Sequence, residues 1–137
     1  MKKAILIITA ILMMCSTGSA EVIIIVNNAV PVYQISQSDA SKIFLGKKTS
    51  WDDGTEISVG VLRSGAVHDD FLKQIVKKTS SQFDTYWKRM IFTGSGQSPS
   101  TYDSEAEIVQ FVGAVRGAVG YIDSATPHSN VKTVDIR

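Results

Sequence analysis

The sequence predicts an α/β domain in which helices flank a mainly parallel sheet. Three observations carry this. Val22-Ile23-Ile24-Ile25-Val26 is continuously apolar and β-branched, as in a strand buried on both faces. Apolar residues recur at helical spacing in several later segments. Strand-like and helix-like segments alternate along the chain, which favours parallel strands joined by crossover helices.

Asn27 to Pro31 reads as a loop after the first strand. Ser36 opens a helix, with Asp39 three residues on in a capping-box-like arrangement. Ala40, Ile43 and Phe44 form its inner stripe, and Gly46 stops it. Trp51-Asp52-Asp53-Gly54 is a turn, and Ile57 to Leu62 is a second strand. Ser64 reads as the N-cap of a helix running to about Lys78, with Phe71, Leu72, Ile75 and Val76 inward. Lys73, Lys77 and Lys78 suit its C-terminal half. Ser81 reads as the cap of a third helix that puts Phe83, Tyr86, Trp87, Met90 and Ile91 on one side. Gly94 to Pro99 is a loop. Ser104-Glu105-Ala106-Glu107 is a capping box before Ile108, Phe111, Val112 and Val115, and Gly117 ends that helix. Ala118 to Ile122 is a short strand, and Val131 to Ile136 alternates like an edge strand.

The first twenty residues read differently. Lys2 and Lys3 precede an uncharged, mostly apolar run from Ala4 to Met14, and Gly18-Ser19-Ala20 supplies small residues for cleavage. This is the pattern of a secretory signal peptide. The run is shorter than the roughly 20 residues a membrane span needs. The expected organisation is a signal peptide over residues 1–20 and one domain over residues 21–137, working in the periplasm. The single cysteine, Cys15, falls in the segment to be removed, so no disulfide is expected.

Residues 21–137 carry twelve Lys and Arg against thirteen Asp and Glu, a net charge of −1. No basic run marks a nucleic-acid surface, and no second apolar stretch is long enough to span a membrane.

One junction stands out for chemistry. Val61-Leu62-Arg63-Ser64-Gly65-Ala66 is a strand, a tight turn and a helix start. Helix starts present free N–H groups to an anion, and an arginine fork adds paired donors. Arg63, Ser64 and Gly65 are therefore the candidate anion-binding residues; the plainer reading is a cap beside a solvated arginine. His68, Asp69 and Asp70 have poor spacing for a metal and read as a surface helix turn. His128 has no evident partner. Gly94-Ser95-Gly96 lacks the ending of a phosphate loop. Phe83, Tyr86, Trp87 and Met90 read as core rather than as a stacking platform. No nucleophile, base and orienting group stand together, so neither catalysis nor a cofactor or metal is expected.

The order of several motifs carries a resemblance. Ile25-Val26-Asn27, Ile35-Ser36, Ala40-Ser41-Lys42-Ile43-Phe44-Leu45-Gly46-Lys47 and Trp51-Asp52-Asp53-Gly54 come first. Phe71, Tyr86-Trp87, Phe92-Thr93-Gly94 and Arg116-Gly117-Ala118-Val119-Gly120-Tyr121-Ile122 follow. Together they resemble the phosphate-binding proteins of ABC transporters, which are type II periplasmic binding proteins. The resemblance spans nearly all of residues 21–137, and it implies a single lobe of that fold, similar to the second lobe of a two-lobed receptor. It also implies a phosphate-like oxyanion as ligand. In that family the second lobe holds phosphate through an arginine followed, a few residues later, by Ser-Gly-Thr. Here Arg63, Ser64 and Gly65 are contiguous, and Ala66 stands where the threonine would be; aligned instead back from Phe71, the serine and glycine fall near Gly65 and Ala66 and the threonine at Val67, so either way its hydroxyl is gone.

Two functional readings result. One is an exported binding module for phosphate or a similar oxyanion, weak alone or completed by a second copy or an envelope protein. The other is a periplasmic interaction or scaffold module that has lost ligand binding and takes no part in transport.

Overall fold

The computed structural model of the chain describes residues 21–137. The expected signal peptide, with Cys15, lies outside the described residues. Six strands form one sheet: β1 (Val22–Val26), β2 (Gln34–Ile35), β3 (Ser58–Leu62), β4 (Ser100–Tyr102), β5 (Ala118–Asp123) and β6 (Lys132–Ile136). Their order across the sheet is β2-β6-β1-β5-β3-β4. Four helices accompany them: α1 (Gln37–Phe44), α2 (Ala66–Phe71), α3 (Ser80–Phe92) and α4 (Glu105–Ala114). Helix α2 runs on into a π-helical turn, Leu72–Val76.

The predicted α/β class is the observed one. Parallel ladders join β3 to β4, β3 to β5 and β2 to β6. The first strand differs from its expected setting. β1 runs antiparallel to both neighbours, with Ile24 facing Tyr121 on β5 and Val134 on β6. A continuous apolar run reports burial on both faces and says nothing of direction. Ile24, Ile25 and Val26 are indeed buried. β6 is not the edge: the two-residue β2 lies outside it. Strands as short as β2 and β4 offer too few residues to show a period.

The core lies on both sides of the sheet. On one side Gly60 and Gly120 let α4 approach closely. A β-carbon on Gly60 would stand 2.8 Å from the Phe111 ring, and one on Gly120 would stand 2.6 Å from Ile108. On the other side an aromatic stack is the centre. The Phe71 and Tyr121 rings are parallel with centroids 3.9 Å apart, and Phe44 meets Phe71 edge-on at 4.6 Å. All three are fully buried.

Helix starts fall close to their expected places but use different caps. Ser36 accepts from the Asp39 N–H, as predicted. Thr79, not Ser81, caps α3, forming a reciprocal box with Gln82. Ser104 caps α4, but the Glu107 carboxylate reaches past it to the Asp103 N–H. Gly65, not Ser64, is the N-cap of α2. Helix α4 ends at Ala114, short of Gly117. The Gly117 carbonyl instead accepts from the Trp51 indole at 3.0 Å and from the Ser58 N–H at 3.1 Å. A β-carbon there would sit 1.9 Å from the Glu56 carbonyl oxygen, so this crossing of backbones requires glycine.

Candidate anion site

The junction between β3 and α2 is built as a strand, a turn and a helix start, at the edge where β3 pairs with β4. Arg63 donates its backbone N–H to the Tyr102 carbonyl at 2.8 Å, one step beyond the Leu62–Tyr102 register. That places Arg63 beside Asp103. The guanidinium Nε donates to Asp103 Oδ1 at 2.7 Å. This hydrogen bond and the Asp103 charge push the Arg63 pKa up, with Glu107 adding to the effect. Arg63 and Asp103 are both largely exposed, so the pair is screened by water and salt.

Ser64 and Gly65 are exposed beside them. Gly65 has φ +113° and ψ 173°, a conformation that residues with a β-carbon seldom adopt. It has no side chain to cap α2, and no other side chain does so. The first N–H groups of an uncapped helix remain available to solvent or to an anion. The structure therefore brings Arg63, Ser64 and Gly65 together at one exposed corner, with a carboxylate already on the arginine.

The far side of this short helix is quite different. His68 was expected on a surface turn and is instead buried, 2% exposed. Its Nδ1 is hydrogen-bonded to the Tyr121 hydroxyl, whose oxygen also accepts from the Leu62 N–H at 3.0 Å. With its oxygen accepting from Leu62, the Tyr121 hydroxyl keeps a proton it can donate to Nδ1 of a neutral imidazole. Burial lowers the His68 pKa, against the opposing charges of Asp69 and Asp84. Burial likewise raises the Tyr121 pKa well above the usual phenol range.

His68 borders a cleft of about 330 Å³ that also reaches Arg63, Phe83, Trp87 and Lys88. The Trp87 indole N–H, buried nearby, has no acceptor among the described residues. Phe83 and Trp87 are core residues, as read from their spacing, while Tyr86 and Met90 are half-buried beside them. Ile91, expected on the inner side of its helix, is instead 54% exposed. His128 does have a partner, the Thr126 carbonyl, 2.6 Å from its Nδ1. Among the described residues no group of three His, Cys, Asp or Glu is placed to hold a metal. No helix among them is long and apolar enough to cross a membrane.

The sequence missed Asp103 and Tyr121 as partners of site residues. Asp103 meets Arg63 only because β4 pairs with β3, and β4 carries no readable pattern. Tyr121 lies in β5, whose apolar run is plain in the sequence, but nothing local pairs it with a histidine 53 positions away.

An α/β sheet with this strand order matches the periplasmic-binding-protein fold. Solved structures of that fold match the chain in particular. An ABC-type phosphate transport receptor from Vibrio cholerae matches over 85% of this chain and 46% of its own, with a TM-score of 0.59 and 18% identity. PstS from Borrelia burgdorferi matches over 86% and 47%, with a TM-score of 0.64 and 14% identity. A phosphate binding protein from Stenotrophomonas maltophilia matches over 85% and 39%, with a TM-score of 0.58 and 18% identity. The chain thus spans less than half the length of each of these structures. No protein-family model matches the chain, and no curated protein does.

Proposed function

We propose that the chain is an exported solute-binding-like module whose ligand is phosphate or a similar oxyanion, bound at Arg63, Ser64 and Gly65. The observation that carries this reading is the shared fold with phosphate receptors, together with an arginine and an uncapped helix start at one exposed corner. Arg63 supplies a permanent charge and donors that match an oxyanion. The α2 backbone and the Ser64 hydroxyl supply further donors. The site is open, whereas tight sites enclose most of their ligand. Binding by one copy is therefore weak, and a second copy or an envelope protein covering the corner strengthens it. Residues 1–20 direct the chain to the periplasm and are removed after Ala20. The module performs no catalysis.

Calorimetric titration with inorganic phosphate and sulfate, on wild type and Arg63→Ala, tests this reading. Saturable heat with phosphate that Arg63→Ala abolishes supports it. No heat at millimolar phosphate, for monomer and any oligomer, overturns it.

A second reading rests on Asp103. Its carboxylate already occupies the Arg63 guanidinium, as it would in an interaction or scaffold module that no longer binds an anion. That reading expects partner capture to survive Arg63→Ala and Ser64→Ala.

A further inference from the structure

The charges of this domain are unevenly distributed. Residues 71–99 carry five cations and one acid, a net +4, while the rest of residues 21–137 carries seven cations and twelve acids, a net −5. The five cations are Lys73, Lys77, Lys78, Lys88 and Arg89. The ion pairs among the described residues, Lys48–Asp52 and Arg63–Asp103, involve none of them. Their charge is left unmatched on the π turn and α3.

The positions are ordered as well as charged. Ser81, Thr85, Lys88, Arg89 and Phe92 fall within one face of α3 by helical spacing, and all are exposed. Lys77, Lys78 and Arg89 surround a recess of about 410 Å³, where Ser81, Gln82 and Thr85 add hydrogen-bond donors. The Lys78 ammonium lies 5.5 Å from the centre of the Tyr86 ring, which holds it at the rim. A second recess continues past Lys73, with Asp69 as the acid on its wall. At the C-terminal end of the same face Phe92 is 91% exposed, beside Ile91. The acid of α3, Asp84, lines the cleft on the other flank, where Lys88 at the margin of the face lines it too.

We propose that this face docks on an anionic phospholipid bilayer. Lipid phosphate groups would occupy the recess between Lys77, Lys78 and Arg89, and Phe92 would enter the boundary between headgroups and acyl chains. Cations near an anionic leaflet add attraction one by one, roughly fivefold in affinity for each. An aromatic side chain among them fits a surface that is charged outside and apolar beneath. A polyanion without an apolar layer gives Phe92 nothing to bury against. The net −5 of the remaining surface is repelled by the same leaflet, so one orientation is selected.

Lys77 provides a test that unfolding does not confound. It sits at φ +60°, in the left-handed region, at the end of the π turn. Glycine is favoured there, so Lys77→Gly removes a charge while relaxing the backbone.

The experiment is co-sedimentation of the processed chain, residues 21–137, with vesicles of mixed phosphatidylglycerol and phosphatidylcholine, and of phosphatidylcholine alone. Wild type is expected to pellet with the anionic vesicles and far less with the neutral ones. Lys77→Gly is expected to bind roughly fivefold more weakly with an unchanged or higher melting temperature, and Lys77→Gly with Arg89→Gln roughly 25-fold more weakly. Phe92→Ser is expected to weaken binding severalfold. Equal binding to neutral vesicles overturns the proposal, as does full binding by the folded double variant. Displacement by millimolar glycerol 1-phosphate overturns it in favour of a free phosphate ester. Binding to polyglutamate without binding to anionic vesicles overturns it in favour of an acidic protein partner.

Discussion

Helix α2 has two ends that obey different physics. Its start, Arg63-Ser64-Gly65, is exposed, uncapped and held by one screened ion pair. Its inner side, His68 and Phe71, is buried against Tyr121 in a stack whose polar atoms are tied to one another. The first end can meet a solute because little in the protein satisfies it. The second end contributes stability because almost everything in it is satisfied. The contrast teaches that a substitution a few residues along the same short helix should shift from altering binding to altering folding.

The largest effect is expected at the inner end. Phe71→Ala should destabilise the fold by about 3–5 kcal/mol, as for large buried aromatic truncations, measured by urea unfolding. Tyr121→Phe keeps the stack but leaves the His68 Nδ1 and the Leu62 N–H without their partner, and about 2–4 kcal/mol should be lost. If Tyr121→Phe were neutral, the buried network would not be what anchors α2. Gly65→Ala lies between the two regimes. No atom obstructs a β-carbon there, so the cost is backbone strain alone, about 1–3 kcal/mol.

At the exposed end the expectation inverts. Arg63→Ala should leave the melting temperature unchanged and abolish saturable phosphate binding in the millimolar range. Asp103→Asn, which frees the guanidinium from its carboxylate, should strengthen phosphate binding a fewfold in the same titration.

Acidity separates the ends too. The folded pKa of His68 is lowered by burial, so the unfolded chain takes up the proton first. Stability from this group is complete above the unfolded value of about 6.5 and is lost as pH falls below it toward the folded pKa. Thermal unfolding between pH 7 and pH 5 should show this decline, and His68→Phe should flatten it. A wild-type curve flat over that window would show that His68 is accessible to water after all.

The sequence made one of these ends visible and hid the other. The strand–turn–helix corner was legible because β3 has a clear apolar run and Arg63-Ser64-Gly65 interrupts it abruptly. Gly65 takes the cap position expected of Ser64, because a glycine at φ +113° caps by conformation, which composition does not display. His68 was misplaced because Asp69 and Asp70 make its neighbourhood look solvated, while one face of that turn packs inward. β1 was legible as a buried strand, yet its antiparallel direction depends on where β5 and β6 return. β2 and β4 were invisible at two and three residues, and with β4 went the position of Asp103. Period and caps report what a segment does locally; strand neighbours and ion partners are fixed by the assembled sheet.

The most direct test of the exposed corner as a binding site is a phosphate titration followed by backbone amide NMR shifts. Saturable shifts of Ser64, Gly65 and Ala66, absent in Arg63→Ala while the shifts of Phe71 and Tyr121 stay fixed, are the predicted result. Unmoved amides at Ser64–Ala66 up to millimolar phosphate, or saturable shifts that persist in Arg63→Ala, would contradict it.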